Sequence, residues 1–332
     1  MICWYRKRAF ICNREIPLKK LMMWHYIQFA ILEETAMQKY TRGITVFTPT
    51  YNRAGNLSKL YESLLAQKNK DFEWLIVDDG STDGTKEVVE EFIGEKKVDI
   101  RYIYKENGGK HTALNIGMHS AKREYFVCID SDDYLEEDAI DSIIECVNRI
   151  RPDGIIAYKR ELGKDGIIGD EFPKGMTYST LFDLTSYYSC NGDKTLIHRT
   201  ELLEPIYIPE PKCVKFFPEA YVFDRFDEKH RSFLLRKSIC VCEYLDDGYS
   251  SNYRKLLINN AVSFKWSNGE RIDMPCKFKQ RFISAFRYDA YSMLARSKEG
   301  KYRGKHKAML VIAFPVGLII YMAHSIYKKK YM

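Results

Sequence analysis

From Gly43 to residue 150 the hydrophobic positions alternate between two patterns along the chain. Short runs of consecutive apolar residues predict buried strands, and apolar residues spaced three or four apart predict helices. The predicted strands are residues 44–48, 73–79, 100–104 and 124–130. The predicted helices follow them at residues 56–67, 83–93, 111–121 and 138–150. Because the strands are continuously apolar, these strand–helix units predict an α/β fold with a doubly wound, mostly parallel sheet flanked by helices.

Beyond residue 150 the pattern is less regular. Residues 154–161 and 194–200 are predicted as strands, residues 219–226 as the start of a helix, and residues 233–245 as rich in strand. The sequence contains no internal repeat and no low-complexity linker here. We therefore expect this half to pack on the first half, with residues 37–250 as one domain.

Polar residues cluster where three of the predicted strands end. The clusters are Pro49-Thr50-Tyr51-Asn52, Asp78-Asp79-Gly80-Ser81 and Asp130-Ser131-Asp132-Asp133. In doubly wound sheets, ligands bind in the crevice outside the carboxyl ends of the strands. The topology therefore predicts one binding site built from three loops that are distant in sequence.

Three carboxylates crowd the turn formed by Asp130, Asp132 and Asp133. Such carboxylates repel one another unless a cation or hydrogen bonds compensate. Mg²⁺ and Mn²⁺ prefer oxygen ligands and are often held by one or two carboxylates together with substrate phosphates. The alternative is a solvated acidic loop at the start of the next helix, where carboxylates are also favourable.

The segment Asn107-Gly108-Gly109-Lys110-His111 lies immediately before the third predicted helix. Glycines followed by a helix N-terminus form an anion site, and Lys110 or His111 could contact a diphosphate there. The spacing is neither that of dinucleotide-binding folds nor that of a P-loop. A simple glycine turn is an equally good interpretation of this segment by itself.

Charge is distributed unevenly over the 332 residues. The chain has a formal net charge of +7, but residues 251–332 contain 17 Lys/Arg against 4 Asp/Glu, a net of +13. Within this basic region, residues 308–323 carry no charge and are flanked by lysines and arginines on both sides. A spanning helix needs about 20 apolar residues, so we expect a membrane-associating segment that lies on the cytoplasmic leaflet more readily than it spans. A buried core helix is the alternative.

Cysteine usage and the N-terminal stretch bear on where the protein acts. The nine cysteines form no C-x-x-C pair and several lie in apolar runs, which favours reduced thiols in a cytoplasmic protein. Together with the membrane-associating segment, this predicts a location at the inner face of the cell membrane. Two interpretations stay open for residues 1–36: they are a natural N-terminal extension, or Met37 is the true start and the stretch before it is an artefact of gene calling. Mass spectrometry of the natural N-terminus would decide between them.

Four segments together resemble the motifs of family-2 inverting glycosyltransferases with the GT-A fold. They are TPTYNR, VDDGSTDGT, NGGKHTALNIG and the apolar strand that ends in DSDD, in that order over residues 43–150. Alone, the first is weak and the second moderately specific, and the four together are highly specific. The resemblance implies a transferase that takes a nucleotide-sugar donor, with a UDP-sugar preferred, and acts in bacterial cell-surface polysaccharide or glycolipid assembly.

The same resemblance assigns roles to residues of this chain. Pro49, Tyr51 and Asn52 would border the nucleotide, and Asp79, with Asp78 beside it, would hold the base. Asp130 and Asp132 would form the D-x-D pair that places Mg²⁺ or Mn²⁺ on the diphosphate, with Asp133 nearby and Lys110 on the phosphates. Residues 43–150 would then be the nucleotide-sugar half and residues 151–250 the acceptor half.

The catalytic base implied by the family is an acidic residue in the second half, often within a Glu-Asp pair. This chain departs from that pair, and its nearest match is Phe217-Pro218-Glu219-Ala220, followed by Asp224-Arg225. We predict Glu219 as the base and Asp224 as the second choice, against the alternative that both are surface charges on a helix.

Three other functions agree less well with the sequence. A sugar nucleotidyltransferase would need a basic glycine-rich loop near the first strand, which Thr48–Ala54 does not supply. A membrane-bound scaffold with a degenerate site is disfavoured by the complete set of carboxylates. Nucleic-acid binding by the basic tail would not require its apolar segment, so the expected partners are the donor, a saccharide or lipid-linked acceptor, and the membrane surface.

Overall fold

The computed structural model describes residues 39–212, 214–243 and 253–332, and Arg42–Met332 forms one compact unit. The question whether residues 1–36 belong to the natural protein lies outside the described residues, as do Cys3, Cys12 and Cys213. The six described cysteines are free thiols, and four of them are buried.

The strands form a single sheet. They are β1 (Thr41–Thr50), β2 (Phe72–Asp78), β3 (Ile100–Tyr104), β4 (Arg123–Cys128), β5 (Tyr134–Leu135), β6 (Gly154–Glu161), β7 (Tyr178–Ser179), β8 (Lys194–Arg199) and β9 (Ser232–Cys242). Their order across the sheet is β3-β2-β1-β4-β8-β6-β9-β5, and β7 pairs with β9.

Helices cover both faces of this sheet and extend beyond it at the C-terminus. They are α1 (Leu57–Ala66), α2 (Thr85–Glu95), α3 (Lys110–Ser120), α4 (Ala139–Ile150), α5 (Leu181–Ser186), α6 (Thr200–Leu203), α7 (Ala220–Asp227), α8 (Tyr253–Asn259), α9 (Ala261–Asp273), α10 (Phe278–Ala295) and α11 (Lys307–Tyr331). The α/β architecture predicted from the sequence is confirmed.

The strand order reverses between β1 and β4. The chain runs outward from β1 through β2 to β3 with parallel pairing, and β4 then joins the opposite side of β1. The helices that follow β1 and β4, α1 and α4, cover one face of the sheet, whereas α3, which connects β3 to β4, crosses the other face. The crevice at this switch point lies outside the carboxyl ends of the strands. Beyond β4 the sheet becomes mixed, because β8 is antiparallel to both β4 and β6 whereas β6 and β9 are parallel.

Successive residues of β1 face the two layers of the core. Val46 packs with α1 and α4 on one face, and Phe47 packs with α3 and α7 on the other. This is why the central strands are continuously apolar. Helix α3 packs closely against β1, since a side chain at Gly117 would lie only 2.4 Å from the Phe47 ring.

The C-terminal helices α9, α10 and α11 pack against one another in sequence. Two ion pairs tie α9 to α7: Arg271 to Asp224 at 2.5 Å and Glu270 to Arg225 at 2.5 Å. Gly317 of α11 lies directly on α10, because a side chain there would be 2.8 Å from the Phe286 carbonyl oxygen. Small residues thus allow the close approach of the last helix.

Candidate functional site

The loops after β1 and β2 are joined by hydrogen bonds. The Asn52 amide donates to Ser81 Oγ at 2.8 Å, and the Thr82 amide donates to Asn52 Oδ1 at 2.8 Å. Asn52 has a φ of 51°, a left-handed conformation that asparagine tolerates better than most residues. Asn52 therefore holds the loops after β1 and β2 together at the edge of the crevice, and the neighbouring Tyr51 ring is exposed.

Asp79 organises the glycine loop that precedes α3. Its carboxylate accepts hydrogen bonds from the Gly108 and Gly109 amides at 2.8 and 2.7 Å, and from Lys105 Nζ at 2.5 Å. Gly109 has a φ of 100°, and a side chain there would meet the Lys215 carbonyl oxygen at 2.1 Å. A residue with a side chain is therefore excluded at position 109, and the start of α3 is fixed relative to β2.

Two of the predicted nucleotide residues are buried supports of the crevice. Asp78 is fully buried and accepts hydrogen bonds from the Tyr102 hydroxyl at 2.6 Å and the Ser81 amide at 2.7 Å. Pro49 is buried in β1 opposite Val77 of β2. Contact of these residues or Asp79 with a nucleotide stays a prediction.

A lysine joins the carboxylate at the end of β4 to the acid at the start of α7. Lys110 Nζ lies 2.7 Å from Asp130 Oδ1 and 2.5 Å from Glu219 Oε1. The three side chains come from α3, from the turn after β4 and from the residue before α7. Residues 110, 130 and 219 thus meet across the switch point, and the structure brings the predicted D-x-D turn and the predicted base together.

Burial and charge act in opposite directions on this cluster. Burial alone would lower the pKa of Lys110, but Asp130 and Glu219 outweigh it and hold that pKa above its usual range. Burial would raise the pKa of Asp130, and the ammonium groups of Lys110 and Lys159 reverse this, so the pKa is lowered. Lys110 is therefore an ammonium and Asp130 a carboxylate at neutral pH.

The other two carboxyl groups of the turn, Asp132 and Asp133, have raised pKa values. Burial, with the charge of Asp130 as the next cause, raises the pKa of Asp132. Burial raises the pKa of Asp133 to about 6, even though Lys159 Nζ lies 3.0 Å from its Oδ2. Two neighbouring carboxyl groups thus resist ionisation, and an added cation would relieve this.

A divalent cation is compatible with this turn. Within residues 39–212, 214–243 and 253–332, no three His, Cys, Asp or Glu side chains converge tightly enough to enclose a metal. Mg²⁺ and Mn²⁺ do not require such a cage, because they commonly keep water and use one or two carboxylates plus phosphate oxygens. Asp130 and Asp132 supply such a pair, so the residues present fit a shared metal–diphosphate site.

Asp224 lies apart from this cluster. Both of its oxygens accept hydrogen bonds from the Arg271 guanidinium, at 2.5 and 3.0 Å, and its side chain is almost entirely buried. A carboxylate engaged on both oxygens by a guanidinium is poorly placed to accept a proton. Neither assignment of the base is tested by this geometry alone, but it favours Glu219.

Asp130 and Glu219 border the same cavity of about 380 Å³. The polar side of its wall also includes Lys159, Asp193 and His198, and burial lowers the pKa of His198 to about 3. The apolar side consists of Leu114, Met118, Phe126, Leu203, Val222 and Phe223. The volume is within the range of small-molecule sites, which also combine an apolar wall with a few polar groups.

Sequence reasoning did not anticipate Lys159 or Lys105. Lys159 follows the apolar run Ile155–Tyr158 in β6, and Lys105 follows β3 directly. A lysine at the polar end of a buried strand is the signal that could have identified both, since its ammonium must find an acceptor at the strand end. The carboxylates Asp133 and Asp79 are those acceptors.

Residues 45–167 match the sequence profile described as Glycosyl transferase family 2. The chain is 32% identical over 145 residues to glycosyltransferase GlyA of Streptococcus pneumoniae, which is 44% of this chain and 19% of GlyA. It is 27% identical over 170 residues to poly(ribitol-phosphate) beta-N-acetylglucosaminyltransferase TarS of Staphylococcus aureus, 50% of this chain and 29% of TarS. The chain thus spans less than a third of either relative.

Two solved structures share the fold. S. aureus TarS 1–349 in complex with UDP-GlcNAc superposes with a TM-score of 0.53 at 19% identity, over 84% of this chain and 81% of that one. The mannosyltransferase PcManGT from Pyrobaculum calidifontis, in complex with GDP-Man and Mn²⁺, gives a TM-score of 0.50 at 18% identity, over 87% and 84%. The profile match agrees with the family resemblance of the four motifs over residues 45–167, and the two structures share the predicted fold.

Proposed function

We propose that this chain, whose residues 45–167 match the family-2 glycosyltransferase profile, transfers a sugar from a nucleotide diphosphate to an acceptor hydroxyl with inversion. The observation that carries the proposal is that Lys110 pairs with both Asp130 and Glu219, and that these two acids border one cavity. The transferred sugar must lie between a site that binds the diphosphate and an acidic residue that accepts the acceptor's proton. Asp130 and Lys110 would supply the first, and Glu219 the second.

The proposed reaction is a single displacement at the anomeric carbon. The acceptor oxygen forms the new bond to that carbon while the bond to the donor's diphosphate oxygen breaks, and Glu219 takes the proton of the acceptor hydroxyl. A bound Mg²⁺ or Mn²⁺ on Asp130 and Asp132 would neutralise the charge that develops on the leaving diphosphate. Lys110 and the N-terminus of α3 favour the same negative charge.

A UDP-sugar is the proposed donor. TarS, to which the chain is similar in sequence and fold, has been solved with UDP-GlcNAc. PcManGT has the same fold with GDP-Man, so guanine is the next base to test. The acceptor is proposed to be a saccharide or lipid-linked saccharide of a cell-surface polymer; TarS, a poly(ribitol-phosphate) beta-N-acetylglucosaminyltransferase, likewise acts on a polymer.

Calorimetric titration of the detergent-solubilised protein with UDP, with and without Mn²⁺, tests the proposal first. We expect binding that Mn²⁺ strengthens by about tenfold or more, because the cation bridges carboxylates and diphosphate. GDP and the remaining nucleotides follow as comparison ligands. Absence of binding by every nucleotide diphosphate would overturn the proposal and favour a non-catalytic scaffold.

We also propose that α11 seats the protein on the cytoplasmic membrane surface. By length and composition α11 could cross a membrane. However, its small residues Ala313 and Gly317 are buried against the body of the protein, whereas one row of large side chains is exposed. That row is Val311, Ile312, Phe314, Leu318, Ile319, Met322 and Ile326. Lysines at both ends favour a helix lying at an anionic surface.

Replacing one side chain of this row tests the membrane proposal. Ile319→Glu is expected to weaken binding to phosphatidylglycerol vesicles by about tenfold or more, because an exposed isoleucine contributes about 1.5–3 kcal/mol when buried. Vesicle flotation measures this. Ile93→Glu, at another exposed isoleucine on α2, is the matched control and should bind as the native protein does; equal binding by both variants would contradict the proposal.

A further inference from the structure

Lys110 forms ion pairs with two carboxylates that have separate tasks in the proposed reaction. Asp130 belongs to the D-x-D pair, and Glu219 is the proposed base. Both contacts are short, at 2.7 and 2.5 Å, and the Lys110 side chain is only 18% exposed. One ammonium is therefore shared by both acids when no substrate is bound, and it offsets one of their two negative charges.

The Lys110 ammonium contacts a carboxylate that would hold the cation. An oxygen of Asp130 that contacts Lys110 Nζ at 2.7 Å cannot at the same time bind a divalent cation without placing two positive charges side by side. The attraction between Lys110 and the two carboxylates, which opposes binding of a cation, is strong, since Asp130 and Glu219 together hold Lys110 in its charged form. Lys110 and the cation therefore compete for Asp130.

A diphosphate changes this competition. Lys110 is the first residue of α3, preceded by the Gly108-Gly109 turn, and its four-carbon stem allows the ammonium to move by several ångströms. The helix N-terminus and the ammonium both attract an anion. A diphosphate in the crevice thus offers Lys110 a new partner and frees both Asp130 and Glu219.

We propose that Lys110 is a positioning residue that occupies the cation's place in the free enzyme and transfers to the diphosphate when the donor binds. The inference rests on the proposed function. It makes cation and nucleotide bind as a unit, since each removes an obstacle to the other. It also keeps Glu219 paired with Lys110 until the donor is in place.

Titration of the protein with Mn²⁺ alone tests this inference independently of turnover. Lys110→Met is expected to bind Mn²⁺ about tenfold or more tightly than the native protein in the absence of nucleotide, because the competing ammonium is gone. The enhancement of Mn²⁺ affinity by UDP is expected to fall in this variant. Electron paramagnetic resonance of free Mn²⁺, or calorimetry, measures both quantities.

Three further variants make the result specific. Lys110→Arg retains the charge and should keep the weak Mn²⁺ binding of the native protein. Lys110→Gln also removes the charge and is expected to bind Mn²⁺ as Lys110→Met does. It takes the place of Lys110→Met if that variant does not fold. Lys105→Met removes a lysine of similar burial, 16% exposed, from an equally short ion pair with Asp79, and should leave Mn²⁺ affinity in the absence of nucleotide unchanged.

The outcomes separate this inference from the proposed function. Unchanged or weaker binding of Mn²⁺ alone by the folded Lys110→Met and Lys110→Gln proteins overturns the inference, even if native protein binds UDP with Mn²⁺. An equal increase of Mn²⁺ affinity in Lys105→Met would overturn it too, since the effect would then come from the loss of any nearby positive charge. Failure of the native protein to bind any nucleotide with Mn²⁺ would instead remove the proposed function.

Discussion

Asp132→Asn is expected to abolish the Mn²⁺-dependent part of UDP binding, a loss of about 100-fold or more in affinity. Residues that merely support metal ligands already cost about 10–100-fold when changed, and Asp132 is a proposed ligand. The substitution also removes a carboxyl group whose pKa is raised by burial and by Asp130, so the fold should tolerate it. Calorimetry with UDP, with and without Mn²⁺, measures the effect.

Glu137→Gln is the matched control for that experiment. Glu137 is an exposed carboxylate a few residues further along the same stretch, so it tests whether loss of any local negative charge weakens Mn²⁺ binding. The control should retain native affinity. Native Mn²⁺-dependent binding in Asp132→Asn would show that the cation is held elsewhere.

Glu219→Gln is expected to lower kcat by about 10²–10⁴-fold, the usual contribution of a positioned base. UDP-sugar binding should stay within a few-fold of native, because the amide retains the shape of the side chain and the carboxylates Asp130 and Asp132 are unchanged. Donor titration and product formation under saturating substrate measure the two effects separately. Full turnover by Glu219→Gln would exclude it as the base.

Asp224→Asn provides the contrast at the second predicted base. Removing one partner of a buried ion pair typically costs about 3–5 kcal/mol of stability, and Asp224 is the partner of Arg271. We expect a lower melting temperature and a kcat within a few-fold of native for the folded protein. The reverse pattern, with kcat lost in Asp224→Asn and kept in Glu219→Gln, would exchange the two roles.

The elements of the first half could be predicted because one physical rule decides them. A strand of a parallel sheet is buried on both faces, so Ile44–Thr48 is buried without interruption and Trp74–Val77 is apolar throughout. Helices such as α4 bury one face only, so Ile140, Ile143 and Val147 recur at helical spacing. The antiparallel placement of β8 followed no such rule, since short strands of the second half can pair either way.

The carboxylate turn was also visible in the sequence, because its residues are adjacent in the chain. Asp78 and Asp79 show the limit of such motifs. Their position after β2 was predicted, but their carboxylates are buried and bonded to Tyr102 and to the Gly108–Gly109 amides. A motif marks where a side chain lies along a strand, whereas burial decides which of its atoms can reach a ligand.

By itself, the sequence determined the α/β fold, the convergence of three loops on one sheet edge, and an apolar helix with basic ends. These follow from periodicity and from the geometry of parallel strands, both of which are local. Only the tertiary structure decided that Lys110 joins Asp130 to Glu219, that Asp224 belongs to Arg271, and that α11 leaves a row of large side chains exposed. Ion pairs between distant residues depend on how helices cross, and several alternative pairings satisfy the same sequence equally well until packing selects one.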